Sequence, residues 1–192
     1  MDEAKEEIME ATNSALEKHS YSALSIQNIA DEFEKSKSLL YHHYDSKDEI
    51  LLDFMNHMLE TFQNEMLSSQ EEECFEEKFW NKSFMAFNMC RSSEFTKTVE
   101  ELRAQGLRDD RYRQKFSKLE NTFLEEMENL LKIGVDQNVF KSSFQAEKVA
   151  QFILSVNQEA LRKTAENKEI ENLEEELETY LKYRIYPEDQ SE

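Results

Sequence analysis

A chain of 192 residues with only two Gly and one Pro has the length for a sizeable core, as one domain or two small ones, but lacks the glycines that nucleotide-binding loops need. Its formal net charge of −19, from 42 acidic against 23 basic residues, is unusual for a protein that grips nucleic acid through a basic face. Rich in Glu, Lys, Leu, Met and Ala, and without an alternating Val/Ile/Thr run, it reads as all-α, with about nine helices.

The first predicted helix covers residues 2–19, with Ile8, Ala11, Ala15 and Leu16 at helical spacing on one face. The run His19-Ser20-Tyr21-Ser22 ends it, and Tyr21 and Leu24 are expected to pack beneath a three-helix unit. Residues 25–51, SIQNIADEFEKSKSLLYHHYDSKDEIL, then hold three helix starts. Ser25 can cap a helix over 26–33 whose inward face is Ile26, Ile29, Ala30 and Phe33, and Ser36 can cap a second over KSLLYHHY. Ser46 opens a third, with Glu49 completing a capping box. Two short helices joined by a turn match the helix-turn-helix pattern, whose second helix enters the DNA major groove.

On that second helix Leu40 and Tyr44 read as inward, which leaves Lys37, Leu39, Tyr41, His42 and His43 for a partner. Lys37 suits a guanine or a phosphate, Leu39 a thymine methyl, and Tyr41 with one His the phosphate backbone. His42 and His43 are neighbours about 100° apart on the helix, so they face different ways, and each stays open between a DNA contact and plain surface. Ser25 and Gln27 sit where helix N–H groups are free to meet a phosphate. Residues 1–48 carry eleven acids against five Lys, yet residues 35–47 carry three Lys and two His against one Asp, so positive charge gathers where a groove would lie. The overall acidity fits either a salt-adapted host, where a Debye length of about 3 Å at molar salt hides remote carboxylates, or an acidic helical interaction protein that does not bind DNA.

The fourth predicted helix runs from Lys47 to Leu67, with Ile50, Leu51, Phe54, Met55, Met58, Leu59, Phe62 and Met66 as its apolar set, and His57 off the stripe and exposed. It begins against the N-terminal unit and ends in the next, which makes it a lever between them. A polar link, 68–74, leads to a fifth helix over about 71–91 with apolar residues on more than one side, so it is central. That helix is either plain core or one wall of a cavity for a small lipophilic ligand. Met58, Phe62, Trp80, Phe84, Phe87, Asn88, Phe116 and Phe123 are the candidate ligand contacts, with Asn81, Ser83 and Arg91 as further polar candidates. Cys74 and Cys90, sixteen residues apart, would be about 24 Å apart on one helix and cannot be bridged; both are expected to be buried, reduced thiols.

A short helix over 94–107, ending near Gly106, places Phe95, Val99 and Leu102 inward. A longer one over 109–133 carries Tyr112, Phe116, Leu119, Phe123, Met127, Leu130 and Leu131 on one stripe, with Gly134 as its C-cap. Two further amphipathic helices are predicted over 143–166 and 169–185, and the acidic run 166–178 is expected to face solvent. No membrane-length apolar run, signal peptide, His-Glu-x-x-His, Cys-x-x-Cys or Glu-x-x-His occurs, so the chain is expected to be cytoplasmic, non-enzymatic and free of metal or cofactor.

The run 25–51 resembles the DNA-binding domain of the TetR family of transcription regulators. Ser25, Ile29-Ala30, Ser36, Tyr41, Tyr44 and Lys47-Asp48 stand at the places of that family's pattern, with the spacing intact. Glu34 stands where the family usually has the turn Gly, Lys35 where it has an apolar residue, and Ser38 where it often has Gly beside the DNA. Either the turn is remodelled or Phe33 supplies the missing packing. The resemblance implies a DNA-binding domain over 1–46 and an effector-binding and dimerisation domain over 47–192. It implies Ser36, Ser38 and Lys47 as further DNA contacts, Lys47 to a phosphate, and a homodimer on a near-palindromic, double-stranded operator. It also implies that residues 94–107 shift on ligand binding and push the fourth helix, usually to relieve repression. Finally, it implies that the two C-terminal helices form a dimer interface through Phe152, Ile153, Val156, Leu173, Leu177 and Tyr180; on periodicity alone they could equally close the monomer's own core.

Overall fold

A computed structural model describes residues 3–33, 37–67, 74–89 and 93–187. The described residues are all-helical, with ten α-helices and no strand. α1 (Glu3–Lys18), α2 (Ile26–Glu32) and α3 (Lys37–His43) make the N-terminal unit, and α4 (Lys47–Leu67) leaves it. Ile8, Ala15, Ile29, Leu40 and Tyr44 are buried together with Ile50, Leu51 and Phe54 from the first half of α4. This first core also draws in Val99, Leu102, Tyr112 and Phe116, so it does not stop at the start of α4. Phe33 is buried at the end of α2, while Glu34, Lys35 and Ser36 lie outside the described residues.

The helix starts arise from short polar residues that bond free N–H groups. Ser25 Oγ accepts from Asn28 N at 3.2 Å, and the Asn28 side chain accepts from Ser25 N at 2.9 Å. Ser46 Oγ accepts from Glu49 N at 3.3 Å, but the Glu49 carboxylate reaches one residue further back than expected and takes Asp45 N at 2.9 Å. Tyr44 is pinned from below: its hydroxyl donates to Asp53 at 2.8 Å, and Lys5 donates to the same carboxylate oxygen at 2.8 Å. Burial alone would raise the Asp53 carboxyl, but the bonds from Lys5, Tyr44 and Asn56 hold it below the usual carboxylate range.

The fifth predicted helix is two helices, α5 (Phe75–Ser83) and α6 (Met85–Met89), broken at Phe84. The cause is Asn157, buried on a later helix. Its Oδ1 accepts from Ala86 N at 2.9 Å, and its Nδ2 donates to Ser83 O at 2.8 Å and Ile153 O at 2.9 Å. The side chain thus takes over backbone groups that a continuous helix would pair internally. Cys74 is exposed just before α5 rather than buried within a helix, and Cys90 lies outside the described residues. His57 is half-buried rather than exposed, with its Nδ1 enclosed and unbonded.

α7 (Ser93–Gln105), α8 (Asp110–Asp136), α9 (Ala146–Ala165) and α10 (Glu171–Ile185) complete the bundle. On α7, Val99 and Leu102 are buried as expected, while the Phe95 side chain lies outside the described set. Gly134 is not a C-cap: α8 continues to Asp136, and the residue at positive φ is Asn138. Gly134 is required for another reason. A Cβ there would meet the Phe140 ring at 2.1 Å, and Phe140 is itself wedged among Phe75, Phe79 and Tyr186. Among the described residues no helix is long and apolar enough to cross a membrane.

Candidate nucleic-acid interface and ligand cavity

The outer face of α2 and α3 brings together several of the predicted DNA contacts. Gln27, Lys37, Ser38, Tyr41, His42 and His43 are exposed, and the two imidazoles meet edge to face at 5.8 Å. Ser25 is exposed at the start of α2, and Ser36 lies outside the described residues. Leu39 is half-buried against the N-terminal core, so only part of it reaches the outer face. Sequence reasoning missed Asp31. Its carboxylate lies between Gln27, whose amide donates to it at 2.8 Å, and Lys37, with which it pairs directly. The bonds from Lys37 and then Gln27 hold the Asp31 carboxyl below the usual carboxylate range. The pair is exposed, with side-chain exposures of 52% and 54%, so the solvent dielectric keeps it weak and exchangeable.

Lys47 has a different seat. Its ammonium donates to the Tyr21 carbonyl at 3.1 Å and lies 4.7 Å from the centre of the Tyr21 ring. Tyr21 N donates in turn to Glu101 on α7 at 2.6 Å. One tyrosine in the α1–α2 loop therefore ties the start of α4 to α7. Buried Tyr112 of α8 stands beside it; burial, then the neighbouring Tyr21 and Asp48, raises the Tyr112 phenol well above its ordinary value.

A cavity of about 140 Å³ lies among α4, α6, α7, α8 and α9. Met58 and Phe62 of α4 and Phe116 and Phe123 of α8 line it, as expected contacts of a ligand would. Trp80, Phe84, Phe87 and Asn88 do not. Trp80 packs on Tyr186 and donates to its hydroxyl at 3.1 Å, Phe84 stacks between Trp80 and Phe87, Phe87 is buried in the C-terminal core, and Asn88 is exposed. The α5–α6 break turns this aromatic set toward the C-terminus instead. Of the further polar candidates, Asn81 is exposed, Ser83 is buried at the helix break and Arg91 lies outside the described residues. The remaining walls come from Met85, Ala86, Val99, Arg103, Leu119, Glu120, Leu154, Asn157, Gln158 and Leu161; Val99 and Leu119 are among the residues that helical spacing marks as inward, whereas Arg103, Glu120, Asn157 and Gln158 carry no such mark.

On the last two helices, Ile153, Val156 and Leu177 are buried within the single chain and Leu173 is half-buried. Phe152 is 40% exposed and its ring lies 4.2 Å from that of half-buried Tyr180, while Tyr183 nearby is 80% exposed.

A helix-turn-helix unit joined by one shared helix to a helical bundle with an apolar cavity defines a ligand-binding, DNA-binding regulator class. The family model "Bacterial regulatory proteins, tetR family" matches residues 8–54. A TetR transcription regulator from Haloarcula marismortui is similar over 95% of this chain and 97% of its own, at 25% identity and a TM-score of 0.81. A Saccharomonospora viridis protein crystallised with choline is similar at 14% identity and a TM-score of 0.84, over 98% of this chain and all of its own. The regulator FadR from Bacillus subtilis, crystallised with stearoyl-CoA, is similar at 16% identity and a TM-score of 0.69, over 92% and 96%. Among curated proteins, none matches. Residues 8–54 are thus similar to the DNA-binding part of the TetR family, and the chain as a whole has the fold of a TetR transcription regulator, which supports a DNA-binding transcriptional regulator with a ligand-binding domain.

Proposed function

We propose that the chain is a homodimeric repressor that holds a near-palindromic operator with α3 in the major groove of each half-site and is released by a small lipophilic effector. Residues 1–46 bind DNA, and residues 47–192 bind the effector and the second subunit. Ser25, Gln27, Ser36, Lys37, Ser38, Tyr41, His42 and His43 meet the duplex, with the exposed edge of Leu39 on a thymine methyl. Lys47 exchanges its Tyr21 seat for a phosphate. The observation that carries this reading is α4. Its first half is buried in the DNA-binding core, and Met58 and Phe62 from its second half line the cavity. Neighbours of this fold hold choline and stearoyl-CoA, which supports a small organic effector here. An effector acts by its differential affinity for two spacings of the half-site helices. Binding to the DNA upstream of the chain's own gene, at low and high potassium, tests the reading; no specific retention at either salt level would remove it.

Coupling runs through the Glu101–Tyr21–Lys47 contact as well as through α4. Glu101 stands on α7, on the helix face opposite Val99 and Arg103 of the cavity wall, so a ligand that moves α7 moves the Tyr21 loop. Glu101→Ala should change operator affinity about threefold or more without ligand, since one charge-assisted bond is worth about 1.5–3 kcal/mol before solvent replaces it. Glu101→Gln, which keeps an acceptor oxygen, should recover most of it. Equal affinities for both variants and the parent protein would sink this route.

For the dimer, α9 and α10 offer Phe152 and Tyr180 as the apolar face, with Val156, Leu173, Ile153 and Leu177 backing it from inside. Phe152→Glu places a charge at the centre of that face. It should convert the protein to monomer by sedimentation and weaken operator binding by about tenfold or more through the lost second half-site. A Phe152→Glu protein that sediments as a dimer would move the interface elsewhere.

A further inference from the structure

The cavity wall is apolar, and the charged side chains on it are paired. Its free surface is almost wholly carbon, contributed by Met58, Phe62, Val99, Phe116, Leu119 and Leu161 together with their neighbours. Four polar side chains, Arg103, Glu120, Asn157 and Gln158, line the cavity, and each is hydrogen-bonded to another group of the protein. Asn157 is spent on Ala86, Ser83 and Ile153. Arg103 Nη1 donates to Glu120 Oε1 at 2.6 Å, Gln158 Nε2 donates to the same oxygen at 2.8 Å, and the guanidinium lies over the Phe116 ring at 4.5 Å. The cation and the anion on the described wall are therefore paired with each other, and Glu100, one turn earlier on α7, lies 3.8 Å from the same guanidinium.

We infer that this cavity takes an uncharged, apolar molecule of about the size of one aromatic ring and rejects ionised ligands of the same shape; the inference rests on reading the cavity as the effector site. A carboxylate entering here would have to take Arg103 from Glu120, leaving Glu120 without its partner. An ammonium would have to take Glu120 from Arg103 and Gln158. Either way a paired, half-buried charge must be drawn from the partner that it holds here, which costs free energy that an apolar ligand does not require. A hydrocarbon needs none of this, since it replaces empty space with dispersion contacts. The volume of about 140 Å³ is that of an apolar pocket known in general to stay dry and admit benzene.

The test uses the full-length protein and three near-isosteric probes: toluene, benzylammonium and benzoate. Near its aqueous saturation, toluene should raise the melting temperature by roughly 3–6 °C, and the two ions at the same concentration by less than about 1 °C. Two fillings of different walls, Ala86→Leu and Val99→Phe, should each abolish the toluene shift. Their unliganded melting temperatures identify any variant that is simply misfolded, and the other variant then decides. A larger shift with either ion than with toluene, or a toluene shift unchanged in a folded filled variant, overturns the inference. Operator affinity measured with and without toluene separates the two ideas. Cavity binding that leaves operator affinity unchanged keeps the ligand class and removes the effector role; altered operator affinity without a filling-sensitive shift does the reverse.

Discussion

Lys37→Ala should weaken specific binding to the upstream DNA by about 5- to 150-fold, the roughly 1–3 kcal/mol expected for one base-edge or phosphate contact at the groove. The first turn of α3 points this residue outward, where it pairs with the Asp31 carboxylate. The same geometry gives the opposite expectation for its neighbour. Asp31→Asn frees Lys37, keeps a hydrogen-bonding group beside Gln27, and removes a carboxylate that must otherwise sit against the duplex. It should tighten binding several-fold and steepen the dependence on salt by about one released counterion. A cytosine at the position Asp31 faces would reverse that sign, because a carboxylate can accept from the cytosine amine. Measuring affinity for both variants over a salt series distinguishes these outcomes. Unchanged affinity in Lys37→Ala would remove α3 as the reading helix. Tyr41→Ala, on the same face and 47% exposed, should weaken binding as well, uniformly across sequences if it meets only phosphate.

Asn157→Leu should strongly destabilise the fold. The side chain is 4% exposed and satisfies one N–H and one C=O at the α5–α6 break, besides the Ile153 carbonyl on its own helix. Leucine has the volume but no polar atoms, so the Ala86 N–H and Ser83 C=O are stranded in a dry interior. Each orphan costs about 1–3 kcal/mol, giving roughly 2–6 kcal/mol together. For a chain of this size that is a fall of about 4–24 °C in melting temperature. Asn157→Asp should be worse near neutral pH. It keeps the acceptor for Ala86 but turns an oxygen toward two carbonyl oxygens, and burial opposes its charge. Lowering the pH should recover part of that loss, because the protonated carboxyl can again donate. A loss below about 1 kcal/mol in Asn157→Leu would mean that the break is held by something other than this side chain.

How much was legible in the chain depends on the range of the interaction concerned. The helix-turn-helix unit is local: Ser25 and Ser46 cap their own helices within three residues, and the inward set Ile29, Ala30, Leu40 and Tyr44 reflects a 3.6-residue period. The extent of α4, Lys47 to Leu67, is likewise written in one uninterrupted apolar stripe. Family resemblance over this run adds function to that geometry. By contrast, the break at Phe84 is caused by a residue some seventy positions later, and nothing around Phe84 marks it. The same holds for Gly134, whose role is set by the Phe140 ring folding back on it rather than by a positive φ.

The sequence by itself therefore determined the all-helical class, the helix-turn-helix unit and the extent of α4, because caps and periodicity act between residues within one or two turns. Only the tertiary structure decided which aromatics wall the cavity, that Asp31 occupies the hand of Lys37, and that Tyr21 joins α4 to α7. Those depend on which faces of distant helices meet. An inward-facing phenylalanine has the same spacing whether it fills a core, as Phe87 does, or borders an empty space, as Phe116 does.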